Sequence, residues 1–184
     1  MPRARLLSTG TAAILCAVLA GAPGCGVQAD EGTSDACTEL EPFLAIKTEA
    51  DALDRKMLDL RPTEVTLASV KALSQRYQAA SDEYDGFRDR AESELARAES
   101  ADSDFTNVWE LMVESLTIRR DGFLFFAETF ANPVTLRDPS TQAEGEEWQR
   151  KTLNVNERVE ESSGQWMREH GFEETEDGNF IVDC

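Results

Sequence analysis

Apolar residues recur at alternating steps of three and four along four separate stretches of this chain, and that spacing admits one kind of local structure. Only an α-helix, at about 3.6 residues per turn, gathers such residues into one stripe. The first stretch reads Phe43, Ile46, Ala50, Leu53, Met57, Leu60, and the second Val70, Leu73, Tyr77, Ala80, Tyr84, Phe87, Ala91. The third is the most apolar: Trp109, Met112, Leu116, Arg119, Phe123, Phe126 and Phe130, with Leu111, Ile118 and Phe125 as a second stripe. It must be covered on two sides. A fourth keeps the period with weaker residues, Trp148, Thr152, Val155, Val159, Ser162 and Trp166, and Ser162, Ser163 and Gly164 interrupt it.

The punctuation between stripes sets the boundaries. Thr38 followed by Glu41 reads as a capping box with Pro42 in the first turn, and Arg61 and Pro62 end that helix. The second helix begins near Thr63, and Gly86 inside it permits a local bend. Ser103 or Asp104 caps the third helix, and Asn132 and Pro133 stop it; Pro139 opens the fourth and Gly171 closes it. The predicted helices run over roughly 38–60, 63–99, 104–131 and 139–170. Continuous alternation favours near-parallel packing at about +20°, and short links make consecutive helices antiparallel neighbours. The expected fold is an all-α, up-down-up-down four-helix bundle with a short C-terminal tail packed on one end. In that tail, Phe172, Phe180, Ile181 and Val182 are the expected contacts, and Asp177, Gly178 and Asn179 the turn.

The N-terminus carries an address. Arg3 and Arg5 precede an uncharged stretch from Leu6 to Ala22, the pattern of an export signal. Ala22, Pro23, Gly24 and Cys25 then resemble the lipobox of bacterial lipoproteins, with Ala22 where that family usually carries Leu. The resemblance covers residues 1–25 only and implies a lipid on Cys25, hence anchorage to the bacterial cell envelope, at the outer membrane in a Gram-negative cell. A second processing site competes: Val27, Gln28, Ala29 fits ordinary signal-peptide cleavage and would give a secreted or periplasmic protein. The expected organisation is a signal over 1–25, a polar tether over 26–36 and a single domain over 37–184.

Of four cysteines, Cys16 lies in the signal and Cys25 is lipidated or removed, which leaves Cys37 and Cys184. An exported protein with two remaining thiols is expected to pair them. An even number of antiparallel helices brings the start of the first and the end of the last to one end, so four helices permit this bridge.

Charge narrows the partners. The formal net charge is −18, and removing Arg3 and Arg5 leaves 16 basic against 36 acidic residues, or −20. Such a surface disfavours nucleic acid and anionic lipid. Candidate chemistry is sparse. The one histidine, His170, falls at the end of the fourth helix, where a cation suits the helix dipole. Glu110 and Glu114 lie one turn apart and are expected at the solvent edge or paired to arginine. Arg119 occupies a seam position, where it is expected to snorkel, with pairing to an inward acid such as Glu94 as the alternative. Glu173, Glu174, Glu176, Asp177 and Asp183 read as a solvated tail, and Trp109, Trp148, Trp166, Tyr77 and Tyr84 as core.

These features lead to expectations of no catalytic residues, no cofactor and no metal. The expected function is a non-catalytic, envelope-anchored binding or scaffolding module. It would reach the membrane through lipid on Cys25 and engage an envelope protein, not nucleic acid. The alternatives are a carrier of a small apolar ligand in the bundle interior and a metal-carboxylate bundle protein.

Overall fold

A computed structural model of the chain describes residues 31–59, 66–132, 134–176 and 178–182. The export signal, Cys25, the link at Arg61 and Pro62, Thr63, Pro133, Asp177, Asp183 and Cys184 lie outside the described residues. Four helices carry the fold: α1 (Glu31–Leu58), α2 (Leu67–Ser100), α3 (Thr106–Ala131) and α4 (Pro139–Glu169). A single 3-10 turn, Thr135–Arg137, precedes α4, and a small antiparallel hairpin of β1 (Glu173–Glu174) and β2 (Phe180–Ile181) follows it.

Pairings between helices run in opposite directions throughout. Between α1 and α2, Glu39 meets Arg97, Glu49 meets Arg90 and Asp54 meets Tyr84. Ser74 reaches the Ala127 carbonyl and Ser81 the Arg120 carbonyl between α2 and α3. Asn107 meets Ser162 and Ser115 meets Asn156 between α3 and α4. Lys47 approaches Glu160 at 3.8 Å and closes the ring from α1 to α4. The chain is an up-down-up-down four-helix bundle.

The stripes face inward. Phe43, Ile46, Ala50, Leu53 and Met57 of α1 are all buried, as are Trp109, Met112 and Leu116 of α3. At the end where α1 begins, Phe43, Phe105, Trp109 and Trp166 pack edge to face with ring centres 4.5 to 5.9 Å apart. Farther out, Tyr77 sits among Phe123, Phe126 and Phe130 at 5.4 to 5.6 Å.

Several boundaries differ from expectation. Helix α1 begins at Glu31, seven residues before Thr38, and takes in part of the segment expected as a tether. Ala36 and Leu40 are buried and extend the Phe43 stripe backwards at steps of four and three, which carries the helix through otherwise small polar residues. Thr38 is therefore internal, and Pro42 lies inside the helix, where it offers no N–H to the Thr38 carbonyl. Helix α2 starts with a reciprocal capping box: Ser69 N–H donates to Thr66 Oγ1 at 3.1 Å and Thr66 N–H to Ser69 Oγ at 2.9 Å. Helix α3 has Phe105 at its cap position with no side-chain cap, because the fully buried Phe105 ring sets where the chain enters the core. Ser103 Oγ instead accepts from the Phe105 N–H, and Asp104 serves elsewhere.

Helix α4 opens as expected, with Asp138 accepting from Ser140 N–H and Pro139 in the first turn. Ser163 and Gly164 do not interrupt it; both are buried, and a Cβ on Gly164 would meet the Phe180 ring at 3.5 Å. The tail packs directly on this small-residue face at ordinary van der Waals distance. At the other terminus Gly171, with φ +78°, permits two closing bonds, Gly171 N–H to Arg168 O and Phe172 N–H to Met167 O. Phe172, Phe180 and Val182 pack on the core, whereas Ile181 is 49 % exposed. Strand alternation turns Ile181 outward between its two inward neighbours.

The helices are not coextensive. Met57, in the last turn of α1, lies beside Ala80, while α2 begins at Leu67, some thirteen residues or about 20 Å farther out. Among the described helices, the outer section of the bundle is built from α2, α3 and α4.

Candidate functional site

Arg119 organises the polar centre of the bundle. Its place in the α3 stripe puts it between α1, α2 and α4, and its side chain is only 10 % exposed. One guanidinium nitrogen, Nη1, lies 3.3 Å from Asp54 Oδ2, 3.7 Å from Asp51 Oδ1 and 3.4 Å from the Tyr84 hydroxyl. The other, Nη2, donates to Asn156 Oδ1 at 2.9 Å, which also accepts from Ser115 Oγ. Arg119 Nε is buried without a partner. Arg119 thus neither snorkels nor pairs with Glu94, which holds Arg97 at 2.8 Å. The helix register brings Asp51 and Asp54 to its level and leaves Glu94 several turns away.

The electrostatics follow from this packing. Burial opposes the Arg119 charge, and the facing Asp54, Tyr84 and Asp51 outweigh it, so the guanidinium is held charged beyond its ordinary range. Burial, reinforced by Asp54 against the opposing pull of Arg119, pushes the Tyr84 phenol far above its ordinary value. Tyr84 is therefore a neutral donor to Asp54 Oδ1, at 2.6 Å, through the physiological pH range. The cluster ties four helices together and has no proton to exchange near neutrality at Tyr84.

A second polar cluster closes the end of α4. Trp166 Nε1 donates to Asp104 Oδ1 at 2.8 Å, and His170 Nε2 lies 3.3 Å from Asp104 Oδ2. The His170 ring stacks on Trp166 at 3.9 Å, with Nδ1 2.9 Å from the Trp166 carbonyl oxygen. His170 occupies the cap position at the helix terminus, the location expected from its sequence.

The remaining candidates are dispersed. Glu110 is exposed, and Glu114 holds Arg158 at 2.9 Å, as expected. Of the tail acids, Glu174 pairs with Arg168 and Glu173 and Glu176 are exposed. Among the described residues no group of three or more His, Cys, Asp or Glu is arranged to hold a metal ion. No described helix is long and apolar enough to cross a membrane. Cys37 is disulfide-bonded. Trp109 and Trp166 are buried, and Trp148 is half-buried against Gly122 with Lys151 4.7 Å above its ring.

Asp51, Asp54 and Asn156 escaped the sequence reading, and Asp104, read there as a helix cap, instead holds Trp166 and His170. A signal for the three missed residues existed: each sits beside a stripe residue, at Ala50, Leu53 and Val155, where a side chain can turn inward. Fold and clusters together define a class, an all-α antiparallel bundle with a buried arginine–carboxylate centre. No protein-family model, no curated protein and no solved structure matches the chain.

Proposed function

We propose that this chain is an exported envelope protein, anchored by lipid on Cys25, whose bundle is a non-catalytic binding or scaffolding module. The observation that carries this reading is the contrast between a packed aromatic interior and two exposed apolar side chains among the described residues of the far end. Leu67 and Val134, at the end away from the start of α1, are 76 % and 82 % exposed. The seam aromatics pack ring on ring instead of around a ligand, which weighs against a carrier. Asp51 and Asp54, the inward acids, face the Arg119 guanidinium, which weighs against a metal-carboxylate centre.

The anchor and the exposed apolar pair fit one arrangement. The start of α1 and the hairpin share one end of the bundle, so a lipid on Cys25 would hold that end at the membrane and turn Leu67 and Val134 outward. The test is intact mass and fractionation of the native protein. Expected is a diacyl or triacyl mass on a chain beginning at Cys25, found with membranes, and release of Cys25→Ala into the soluble fraction. An unmodified chain beginning at Asp30 would overturn the anchor.

A further inference from the structure

His170, the chain's one histidine, meets groups that favour positive charge at both ring nitrogens and on one ring face. The Trp166 carbonyl oxygen accepts the His170 backbone N–H at 3.0 Å and lies 2.9 Å from Nδ1. A carbonyl has no proton to give, so this second contact is a hydrogen bond only when Nδ1 carries one. Nε2 lies 3.3 Å from Asp104 Oδ2, a carboxylate, and this contact too favours an N–H. The ring stacks on Trp166 at 3.9 Å and 20°, and an indole face attracts a cation. The end of α4 adds the negative pole of its dipole.

A neutral imidazole carries one N–H, so it can satisfy the carbonyl or the carboxylate and must turn a lone pair on the other. Only the imidazolium satisfies both. The other charged groups on the elements packed around the ring are turned elsewhere. On α4, Arg168 holds Glu174 and Glu169 holds the Gln165 amide. At the end of α2, Arg97 is held by Glu39 and Glu94, while Glu99, Asp102 and Glu173 are exposed and make no ion pair with the ring.

Three parts of the fold meet at this histidine. Asp104 stands in the turn between α2 and α3, and its other oxygen, Oδ1, accepts from Trp166 Nε1 at 2.8 Å. Trp166 packs on Phe105 at 4.5 Å and faces Phe172, the first apolar residue of the tail, at 6.2 Å. Phe172 N–H closes the end of α4 on the Met167 carbonyl at 3.0 Å.

We propose that His170 is a proton-operated clasp, which in its doubly protonated form locks the end of α4 to the α2–α3 turn and steadies the start of the tail. Loss of one proton gives up either Asp104 or the Trp166 carbonyl and loosens that end of the bundle. The sign follows from the contacts. The unfolded chain makes none of them, so they stabilise the fold only while the ring is charged, and that stability is lost as pH rises and the proton leaves. The Arg119 cluster differs, since its guanidinium and the Tyr84 phenol both keep their protons through the same range. The clasp goes beyond the binding-module reading and does not depend on a lipid anchor.

The experiment measures urea unfolding of the full chain and of His170→Gln, which carries no charge, at about pH 5 and about pH 8, the span over which an imidazole titrates. Expected is a folding equilibrium constant that falls about three- to tenfold more in the unsubstituted chain than in His170→Gln. Equal falls would overturn the clasp. A second measurement needs no variant. With a single histidine, the ring signals in NMR titrate without overlap, and the Trp166 indole N–H resonance should move with them. The Phe172 amide, corrected for the intrinsic pH dependence of exchange, should lose protection over the same interval. An indole signal and an amide that stay unmoved while the ring titrates would equally overturn the proposal.

Discussion

The Tyr84 hydroxyl donates to Asp54 Oδ1 at 2.6 Å across the α1–α2 interface, and Arg119 of α3 lies against both. Removing one member of such a cluster strands the others, while the pair together is worth less than either loss suggests. Arg119→Met keeps the apolar stem and deletes the charge, and is expected to cost about 1–3 kcal/mol. Asp54 is 32 % exposed, so water blunts the loss. Urea unfolding of Arg119→Met, Asp54→Asn and the double variant should give a coupling of about 1–2 kcal/mol. Strict additivity would mean the cluster contributes no cooperativity.

The same phenol makes a pH prediction with a definite sign. Tyr84 is held above its ordinary value of 10.0 in the folded chain, chiefly by burial. A group whose folded value is raised gives stability that is whole below the unfolded value and fades above it. Stability should therefore decline as pH rises beyond 10.0, because unfolding releases a phenol that can ionise. Tyr84→Phe, although less stable at neutral pH, should show a shallower decline over the same range in denaturant titrations. Parallel curves for the two proteins would refute the assignment.

Four helices were legible because the alternation of three and four steps is dictated by helix geometry alone, and nothing in the tertiary structure overrides it. The start of α1 was not legible, since Ala36 and Leu40 extend the stripe through residues that by composition read as a tether. The partner of Arg119 depended on register between helices, which one helix's periodicity does not contain. A seam arginine implied an acid nearby, but Asp51 and Asp54 differ from Glu94 only in height along the bundle. Likewise, the tail's four apolar residues were readable as a group, while the inward turn of Phe180 and Val182 and the outward turn of Ile181 required the hairpin's alternation.

Gly86 offers a stabilising substitution with no packing consequence. It is exposed in the interior of α2, and a Cβ built on it meets nothing within 4 Å. Alanine there removes backbone freedom from the unfolded chain and should add about 0.5–1 kcal/mol. For a domain of this size the midpoint of thermal unfolding should rise by about 2–4 °C. A fall would indicate that Gly86 serves a contact with another molecule.

Asp102 holds the only described non-glycine residue with positive φ, 54°, at the turn that ends α2. Two bonds close that turn, Asp102 N–H to Glu99 O at 3.2 Å and Ser103 N–H to Ala98 O at 2.9 Å. Glycine reaches this conformation without the Cβ clash, so Asp102→Gly should gain about 0.5–1 kcal/mol in chemical unfolding. Gly171, at φ +78° in the equivalent turn after α4, should respond in the opposite direction to alanine. If both substitutions shift stability the same way, backbone conformation is not what governs these turns.

Cys37 lies on α1 and is disulfide-bonded, and the position of the tail bears on its partner. Val182 lines the same cleft as Phe43 and Leu44, which brings the chain two residues before Cys184 to the side of α1. Leu44 is seven residues, about 10 Å, along the helix from Cys37, within reach of the last residues of the tail. A non-reducing peptide map of the mature protein should therefore join the Cys37 peptide to the Cys184 peptide. The loop so closed spans nearly the whole domain, and Cys37→Ser should lower stability by about 2–5 kcal/mol, with loss of protection over β2 in hydrogen exchange. A Cys37 peptide joined to Cys25 would remove both the clamp on the tail and the free thiol that lipid attachment requires.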